Sequence, residues 1–380
     1  MSTESVAKLK NSLTALIAGV AIAGAAAIGP GVAADDSAVV AAAQKTVDKF
    51  IAGTETKPPA SGPKAVAGKS IYVISCGQVI PGCSMQTNGA VEAGKTLGWN
   101  VTMIDGAFGM NDGYNKGIRQ AIAAHADGVI LVSIDCNRVT QPLREAKAAG
   151  IKIVGQNGFT CADDPSLMTL ENYSVATPGL ADFGQAEGGA QADYIIAKLK
   201  GKAKILNFRF VDNTFAIQIT NGFSSAIAKC TGCSVKNGDI ALTDYGTPTG
   251  FSQKVNSSLL GAGDVDAVRV PFDSFITGGV GQAVVNAGKA ANTLVVGSEG
   301  FEANLNLIRE KRGESVAFAS DQQWIGWGAA DAMNRVFAGG QPAPAGLGFK
   351  LIDADHNMPA SGDYHSAIDF KSAYKAVWGK

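Results

Sequence analysis

From Lys69 onward, short apolar runs alternate with amphipathic segments. Four such runs come first, each followed by a polar or Gly-rich turn and then a helical pattern: SIYVIS, VTMID, GVILVSI and IKIVGQ. In the predicted helix from Tyr114 to Ala126, Ile118, Ala121 and Ile122 fall on one face. The alternation of strand and helix predicts parallel sheets joined by right-handed crossovers.

The same cycle resumes in the second half of the chain. Five further runs are predicted strands: LMTLEN, AKILNFRF, SVKNGDIAL, AVRVPFD and TLVVGSE. Across the chain, the predicted strands are for the most part nearly continuous apolar runs, as expected for strands that helices cover on both faces. The pattern therefore predicts an α/β fold with two similar units of four or five strands. Ligands of such open sheets bind at the carboxyl ends of the strands.

The N-terminus has the pattern of a signal peptide. Lys8 and Lys10 precede an apolar run from Leu13 to Ile28, and the small residues Val32-Ala33-Ala34 follow. We predict cleavage after Ala34 and export to the periplasm. The alternative is a membrane anchor, because the run is near the lower length limit for a span.

Composition and net charge narrow the kind of protein and the kind of partner that are expected. The 380 residues are 46% hydrophobic and 17% charged, which is typical of a globular chain of about two domains. The formal net charge of -1 provides no electrostatic drive toward nucleic acid or anionic membranes. We therefore expect a partner that is a small molecule and no nucleic acid.

Six cysteines follow the apolar segment, an even number that favours disulfides in an exported chain. Cys76 and Cys83 bracket one turn, Cys230 and Cys233 bracket another, and Cys136 and Cys161 follow adjacent strands. We predict these three pairs, and the chief alternative joins Cys76 to Cys136. A metal site is disfavoured because no second pair lies at ligand spacing, so neither a metal nor a cofactor is expected.

Known catalytic motifs do not occur in the sequence: it has no Gly-x-Ser-x-Gly, no His-Glu-x-x-His and no Walker loop. Gly279-Val280-Gly281 matches part of a dinucleotide fingerprint but lacks its third glycine, and close packing of helix on sheet explains it as well. We therefore expect a binding protein and no enzyme.

Polar and aromatic residues gather where the predicted strands end. Amide and carboxylate side chains suit ligands rich in hydroxyl groups, and aromatic faces stack on sugar rings. The predicted ligand-binding residues are Gln78, Asp135, Asn137, Asn157, Phe159, Phe208, Asp212, Phe215, Phe272, Asp273, Glu299, Asp321 and Gln322. For Asp135, Asp212 and Asp273, the alternative is that each caps a following helix.

Several segments, in this order and spacing, resemble the periplasmic sugar-binding proteins of ABC importers, in the ribose-binding-like branch. They are GPKAVAGKSIYVIS, NGAVEAGKTLGW, ADGVILVSID, GIKIVGQN and VVGSEG, within about residues 64–350. The resemblance implies the type I fold, in which three chain crossings form a hinge between two lobes. It also implies a monomer that captures a sugar or polyol and presents it to a permease in the inner membrane.

The resemblance also assigns positions in the site. Asn157 matches a ligand-binding Asp after the fourth strand, Glu299 matches the Asp of a Gly-Phe-Asp-Gly turn, and Asp135 occupies the place of a carboxylate after the third strand. Phe272 and Asp273 correspond to an Asn-Asp pair, and Asp321 or Gln322 to a hinge Gln. The chain departs from the family where Gly82 and Cys83 replace a pair of stacking aromatics, and where Gly158 replaces an Arg.

On this basis we divide the chain as follows: signal peptide 1–34, N-terminal helix and linker 35–65, lobe one 66–160 and 324–348, and lobe two 161–323 and 349–380. The crossings are expected near 159–168, 321–323 and 348–353. Alternatives to transport of a sugar are a sensory or chemotaxis receptor, a receptor for a non-sugar metabolite, and an enzyme that uses Asp135 and Glu299 as acid and base.

Overall fold

A computed structural model describes residues 37–245 and 249–380. The predicted signal peptide lies outside the described residues. The first element is α1 (Ser37–Ala52), an amphipathic helix that buries Ala43, Val47 and Phe50. In the described part of the chain, no helix combines the length and the apolar character needed to cross a membrane.

The first sheet contains five parallel strands in the order β2–β1–β3–β4–β5. Its elements are β1 (Ser70–Ser75), α2 (Pro81–Leu97), β2 (Asn100–Asp105), α3 (Gly113–Ala123), β3 (Gly128–Val132), α4 (Thr140–Ala148), β4 (Lys152–Gln156) and β5 (Thr169–Leu170). The central strand β3 is buried along its whole length, which explains its uninterrupted apolar sequence.

The second sheet contains six strands in the order β11–β10–β9–β8–β6–β7. Its elements are α5 (Leu180–Lys198), β6 (Ala203–Phe210), α6 (Thr214–Ile227), β7 (Cys233–Ile240), α7 (Gly250–Ala262), β8 (Ala267–Arg269), α8 (Asp273–Phe275), α9 (Gly281–Asn286), β9 (Leu294–Glu299), α10 (Glu302–Arg309), β10 (Val316–Ala319) and β11 (Lys350–Asp353). The last strand, β11, is antiparallel to β10, so this sheet is mixed where the sequence predicted a parallel one.

Two helices follow the last strands of the second sheet, one after β10 and one after β11, but both pack on the first lobe. The helix α11 (Gln322–Phe337) contacts α2, β3 and β4, and α12 (Phe370–Trp378) packs against α11. Their contact is aromatic: Trp324 stacks on Phe370 with ring centroids 5.0 Å apart, and Trp327 stacks on Trp378 at 5.4 Å.

The lobe boundaries differ from the expected ones at two places. Lobe two was expected to begin at residue 161, but β5 hydrogen-bonds to β4 of the first sheet, so the chain crosses only after Leu170. The C-terminal residues were expected to stay in lobe two, but α12 returns to lobe one because its apolar face packs on α11. Between β10 and α11 the chain passes from one lobe to the other at residues 320–321, and between α11 and β11 it returns within residues 338–349, mostly before the expected 348–353.

Two more segments connect the lobes. The helix α1 packs on α5 and β11 of lobe two, and the linker after it reaches α11 of lobe one, where Asn334 donates to the carbonyl oxygens of Pro63 and Lys64. The C-terminal segment runs from β11 to α12. The linker and the C-terminal segment meet at Glu55, which accepts hydrogen bonds of 2.9 Å from Tyr364 and Ser366.

The three predicted disulfides are present. Cys76 is bonded to Cys83, Cys136 to Cys161, and Cys230 to Cys233. The alternative pairing of Cys76 with Cys136 is therefore wrong, because each of these cysteines has a nearer partner in its own turn or neighbouring loop.

Candidate functional site

A cleft of about 440 Å³ lies between the lobes, where the carboxyl ends of both sheets meet. The turns after β1, β3 and β4 contribute one wall, and the turns after β6, β8 and β9 contribute the other. Because a parallel sheet directs its loops to one edge, this location follows from the strand order of each lobe. The volume lies within the range of clefts that bind small molecules, about 300–1,000 Å³.

The lobe-two wall is aromatic. Phe210 and Phe275 have ring centroids 5.6 Å apart, Phe215 and Phe272 are 6.2 Å apart, and Phe272 and Phe275 are 6.4 Å apart. Phe108 and Tyr114 of lobe one also line the cleft, as does Phe183 of α5. A ligand between the lobes therefore meets ring faces on more than one side.

The lobe-one floor is a chain of amides. Gln86 of α2 donates to Oε1 of Gln322 at 2.6 Å, and its own Oε1 accepts from Gln156 at 3.1 Å. Gln322 in turn donates to the backbone oxygen and the hydroxyl of Ser320, in a segment that crosses between the lobes. The network fixes the rotamers of buried amides and links the floor to the hinge.

The lobe-two floor carries two carboxyl groups, Glu299 at the end of β9 and Glu187 in the middle of α5. Glu299 has a left-handed backbone with φ of 55°, and its Oε2 accepts from the backbone N–H of Asp273 at 3.0 Å. Asp273 holds this turn, because its carboxylate accepts from the backbone N–H groups of Ser298 and Gly300 at 2.8 Å each.

Burial raises the pKa of these acids. It raises the pKa of Glu187 to about 8, although the nearby Arg269 opposes the shift. It raises the pKa of Asp273 to about 7, against the hydrogen bonds from backbone N–H groups. The pKa of Glu299 is well above its usual value because of burial, with further contributions from Asp273 and Glu187.

Arg269 lies behind this floor and is fully buried. Its Nε donates to Gln191 at 2.7 Å, and its Nη1 donates to Asn207 at 3.2 Å and to Thr220 at 3.4 Å. Burial lowers its pKa to about 9, and Glu187 counteracts that effect. Arg269 is thus a buried counter-charge for the acidic floor.

Asp135 of lobe one and Glu299 of lobe two each approach the opposite lobe across the cleft. Oδ2 of Asp135 accepts a hydrogen bond of 2.7 Å from the hydroxyl of Thr214, at the start of α6. Glu299 extends toward the first turn of α2, where a Cβ atom added to Gly82 would lie 2.8 Å from its Oε1. The absence of a side chain at Gly82 therefore lets the carboxylate approach a helix N-terminus.

Six of the predicted ligand-binding residues line this cleft: Asn157, Asp212, Phe215, Phe272, Glu299 and Gln322. Among them, Asn157 has a left-handed backbone, and its Oδ1 accepts a hydrogen bond of 2.6 Å from Tyr173. Asp212 is exposed at the rim and accepts from the backbone N–H of Leu242 at 2.6 Å.

The other predicted residues do not line the cleft, and most have structural partners instead. Asp135 binds the backbone N–H of Phe159 at 3.0 Å as well as Thr214. Asp321 caps α11, and Phe208 is fully buried in the core of lobe two. Gln78 donates to the hydroxyl of Ser75, and Phe159 packs against the core. Asn137 is exposed, and the carboxylate of Asp273 holds the turn that contains Glu299.

Sequence reasoning did not select Glu187, Gln86 or Phe183 as binding residues. All three project from helices and not from strand ends. The glycine that follows Glu187 in sequence indicates that this part of α5 is buried. Gly188 lets α5 pack closely on α6, since a Cβ atom added to Gly188 would lie 1.8 Å from the backbone oxygen of Ile219. A helix in such close contact buries more than one face.

In the described residues, no group of three or more His, Cys, Asp or Glu side chains has an arrangement that could hold a metal ion. Two α/β lobes around a cleft at the carboxyl ends of their strands define a class, the two-lobed binding proteins. The chain belongs to the family described as "Periplasmic binding protein domain", whose sequence profile matches residues 71–341.

The fold is that of solved type I periplasmic binding proteins. One similar structure is an ABC transporter solute binding protein from Mycobacterium smegmatis with bound glycerol, with a TM-score of 0.65 and 18% identity over 79% of this chain and 100% of that one. Another, from Bacillus halodurans C-125 with bound myo-inositol, has a TM-score of 0.61 and 16% identity over 76% and 96%. A third, from Actinobacillus succinogenes 130z with bound D-allose, has a TM-score of 0.63 and 14% identity over 76% of this chain and 98% of that one. No curated protein sequence matches the chain.

Proposed function

We propose that this protein is an extracytoplasmic solute-binding receptor of an ABC importer, which captures a sugar or polyol in the cleft between its lobes. The observation that carries this proposal is the cleft itself, which combines aromatic walls with amide and carboxyl groups on its floor. The family membership supports it, as do the sugars and polyols bound to proteins of the same fold.

The chain's own residues suit this ligand class. Phe215 and Phe272 provide flat faces for the apolar face of a sugar ring, and Asn157 provides a polar edge. Ligand held between the lobes stabilises the closed arrangement, because it contacts both walls only when they are close. A membrane permease then recognises that arrangement, and the receptor performs no chemistry on its cargo.

We further propose that the protein acts as a monomer in the periplasm, after cleavage behind Ala34. Three disulfides are consistent with an oxidising compartment.

A ligand screen tests the function. Sugars and polyols are added to the purified mature protein, and a true ligand raises the melting temperature because it binds only the folded state. Calorimetry then measures its affinity for the wild type and for Phe215→Ala, which loses an aromatic wall. We expect about tenfold weaker binding, corresponding to about 1.4 kcal/mol. The control is Leu260→Ala, which truncates a side chain that is 84% exposed on α7, outside the cleft. Unchanged affinity in Phe215→Ala contradicts the placement of the site.

A further inference from the structure

The charges around the cleft are unbalanced. Glu187 and Glu299 lie on its floor, and Asp212 lies at its rim. Among the described residues that line the cleft, Arg138 is the only Lys or Arg. It is exposed, with its guanidinium 5.3 Å from the ring centroid of Tyr114 and a hydrogen bond of 3.4 Å to the backbone oxygen of Phe108. The floor of the cleft therefore presents acid without a facing base.

The charges behind the floor do not restore the balance. Arg269 is the counter-charge of Glu187, while Asp273 and Glu314 add two more buried carboxyl groups around Glu299. Nη2 of Arg269 has no hydrogen-bond partner, so the guanidinium is not itself fully paired. Burial raises the pKa of Glu187 although Arg269 opposes the shift, and it raises the pKa of Glu299, where no lysine or arginine opposes it. A buried carboxylate is stabilised by a positive partner that arrives with the ligand.

The walls suit the same partner. Phe210, Phe215, Phe272 and Phe275 form a continuous aromatic surface on lobe two. Ring faces attract a positively charged nitrogen through their quadrupole, and this attraction is strongest where water is excluded. Such a surface also packs against the apolar face of a sugar ring. It can therefore bind a ligand that has both a sugar ring and a positively charged nitrogen.

We propose that the sugar or polyol frame of the ligand carries a protonated amine, which the carboxyl groups of Glu299 and Glu187 receive at the floor of the cleft. This inference rests on the proposed function and specifies its ligand class. Glu299 is the primary contact, because its carboxylate also reaches Gly82 of the opposite lobe and so lies where the two lobes close. The same arrangement repels acidic sugars.

Matched trios of solutes test the inference. Each trio shares one carbon frame: glucose, glucosamine and glucuronate; galactose, galactosamine and galacturonate; and sorbitol, glucamine and gluconate. Calorimetry at neutral pH compares their affinities for the mature protein, because burial makes Glu187 and Glu299 hold their protons at acidic pH and the ammonium pairs with their charged form. We expect the amine of at least one trio to bind at least tenfold more tightly than its neutral partner, and the acid not to bind.

The outcomes separate the inference from the function. A neutral or acidic member that binds as tightly as the amine of its trio overturns the inference and leaves the receptor function standing. If no amine of any trio binds at millimolar concentration, the inference fails, and the wider screen of sugars and polyols decides the receptor function separately.

Variants locate the contact. Glu299→Gln should weaken amine binding by about tenfold to a hundredfold, the effect of losing one charge-assisted hydrogen bond, and change binding of the neutral partner less than threefold. Glu187→Gln should likewise weaken binding of the amine more than binding of the neutral partner. The loss should be smaller than for Glu299→Gln, because Arg269 already compensates the Glu187 carboxylate. Asp264→Asn removes a negative charge from a fully exposed residue outside the cleft and serves as the control. Equal losses for the amine and neutral members would overturn the inference.

Discussion

Asp135 and Thr214 are 79 residues apart in sequence, yet a hydrogen bond of 2.7 Å joins the carboxylate of one to the hydroxyl of the other. The two residues belong to different lobes, so this bond exists only while the lobes are close. Asp135 is also held from its own lobe by the backbone N–H of Phe159 at 3.0 Å. The carboxylate is therefore already oriented when Thr214 arrives.

Thr214→Val should weaken ligand binding without destabilising the fold. Valine keeps the shape of threonine but removes the donor, so the closed arrangement loses about 1.5 kcal/mol and the affinity falls about tenfold. Calorimetry measures the affinity, and thermal unfolding of the free protein should change little. The control is Thr96→Val, since Thr96 is half-buried on α2 and its hydroxyl bonds only to its own helix in the described structure. Equal affinities for Thr214→Val and wild type would show that this bond does not contribute to closure.

Gly82→Ala should also impair closure. The added Cβ atom would lie 2.8 Å from Oε1 of Glu299, so the carboxylate or the lobe must move. We expect a loss of about 1 kcal/mol in binding, or about fivefold, by calorimetry. Gly261→Ala is the matched control, because its nearest contact in the structure, Nζ of Lys236 at 3.5 Å, is an ordinary one. Binding by Gly82→Ala at the wild-type level contradicts the close approach.

The disulfides should differ in their contributions to stability. Cys136–Cys161 closes the longest loop, with a separation of 25 residues, against 7 for Cys76–Cys83 and 3 for Cys230–Cys233. Chain entropy predicts a loss of about 3.5 kcal/mol when the longest loop is opened and about 1.5 kcal/mol for the shortest. Chemical denaturation of the three double Cys→Ser variants measures the order. A larger loss for Cys230–Cys233 would contradict the entropic account.

Stability should fall as the pH rises above the usual range of a glutamate. Glu171 is buried, neither of its carboxyl oxygens has a partner, and burial holds its pKa well above the ordinary value of 4.5. The folded protein keeps this proton where the unfolded chain has lost it, so increasing pH favours unfolding. Glu171→Gln should reduce the decline by up to about 1.4 kcal/mol per pH unit.

Denaturation of both proteins between pH 4 and 8 checks this expectation. Glu145→Gln is the control, because Glu145 is exposed and Arg119 holds its pKa below the usual value. Its replacement should leave the decline in place. A stability that rises with pH equally in wild type and Glu171→Gln would contradict a proton retained at Glu171.

The N-terminus of the exported protein should be Asp35. Lys8, Lys10 and the apolar run that follows have the pattern of an export signal, and the small residues up to Ala34 have the pattern of a cleavage site. Mass spectrometry of the protein released from the periplasm identifies the first residue. Soluble cytoplasmic protein that still begins at Met1 would contradict export.

The sequence predicted the strands that are long and apolar, because burial on both faces leaves little room for polar residues. SIYVIS coincides with β1 (Ser70–Ser75), and TLVVGSE contains β9 (Leu294–Glu299). The strands β10 and β11 were not predicted. Each has four residues, and β11 lies antiparallel at the sheet edge, where no crossover helix follows to mark it.

In the site, position was easier to predict than role. The rule that strands end at the cleft led to Asn157, Phe272 and Glu299, which line it. It also led to Asp135 and Asp273, whose carboxylates are occupied by backbone N–H groups. A sequence does not show which acid faces a ligand and which one holds a turn, because that depends on distances of a few ångströms between distant segments.

Besides the three expected crossings, the linker after α1 and the segment before α12 also connect the lobes, and these two segments are bonded to each other at Glu55. Three flexible connections permit two bodies to twist as well as to bend. Five connections, two of them bonded to each other at Glu55, restrict the twisting of one lobe against the other more than three would. The cleft should therefore open along a narrow path, and each closure should bring Asp135 back to the hydroxyl of Thr214.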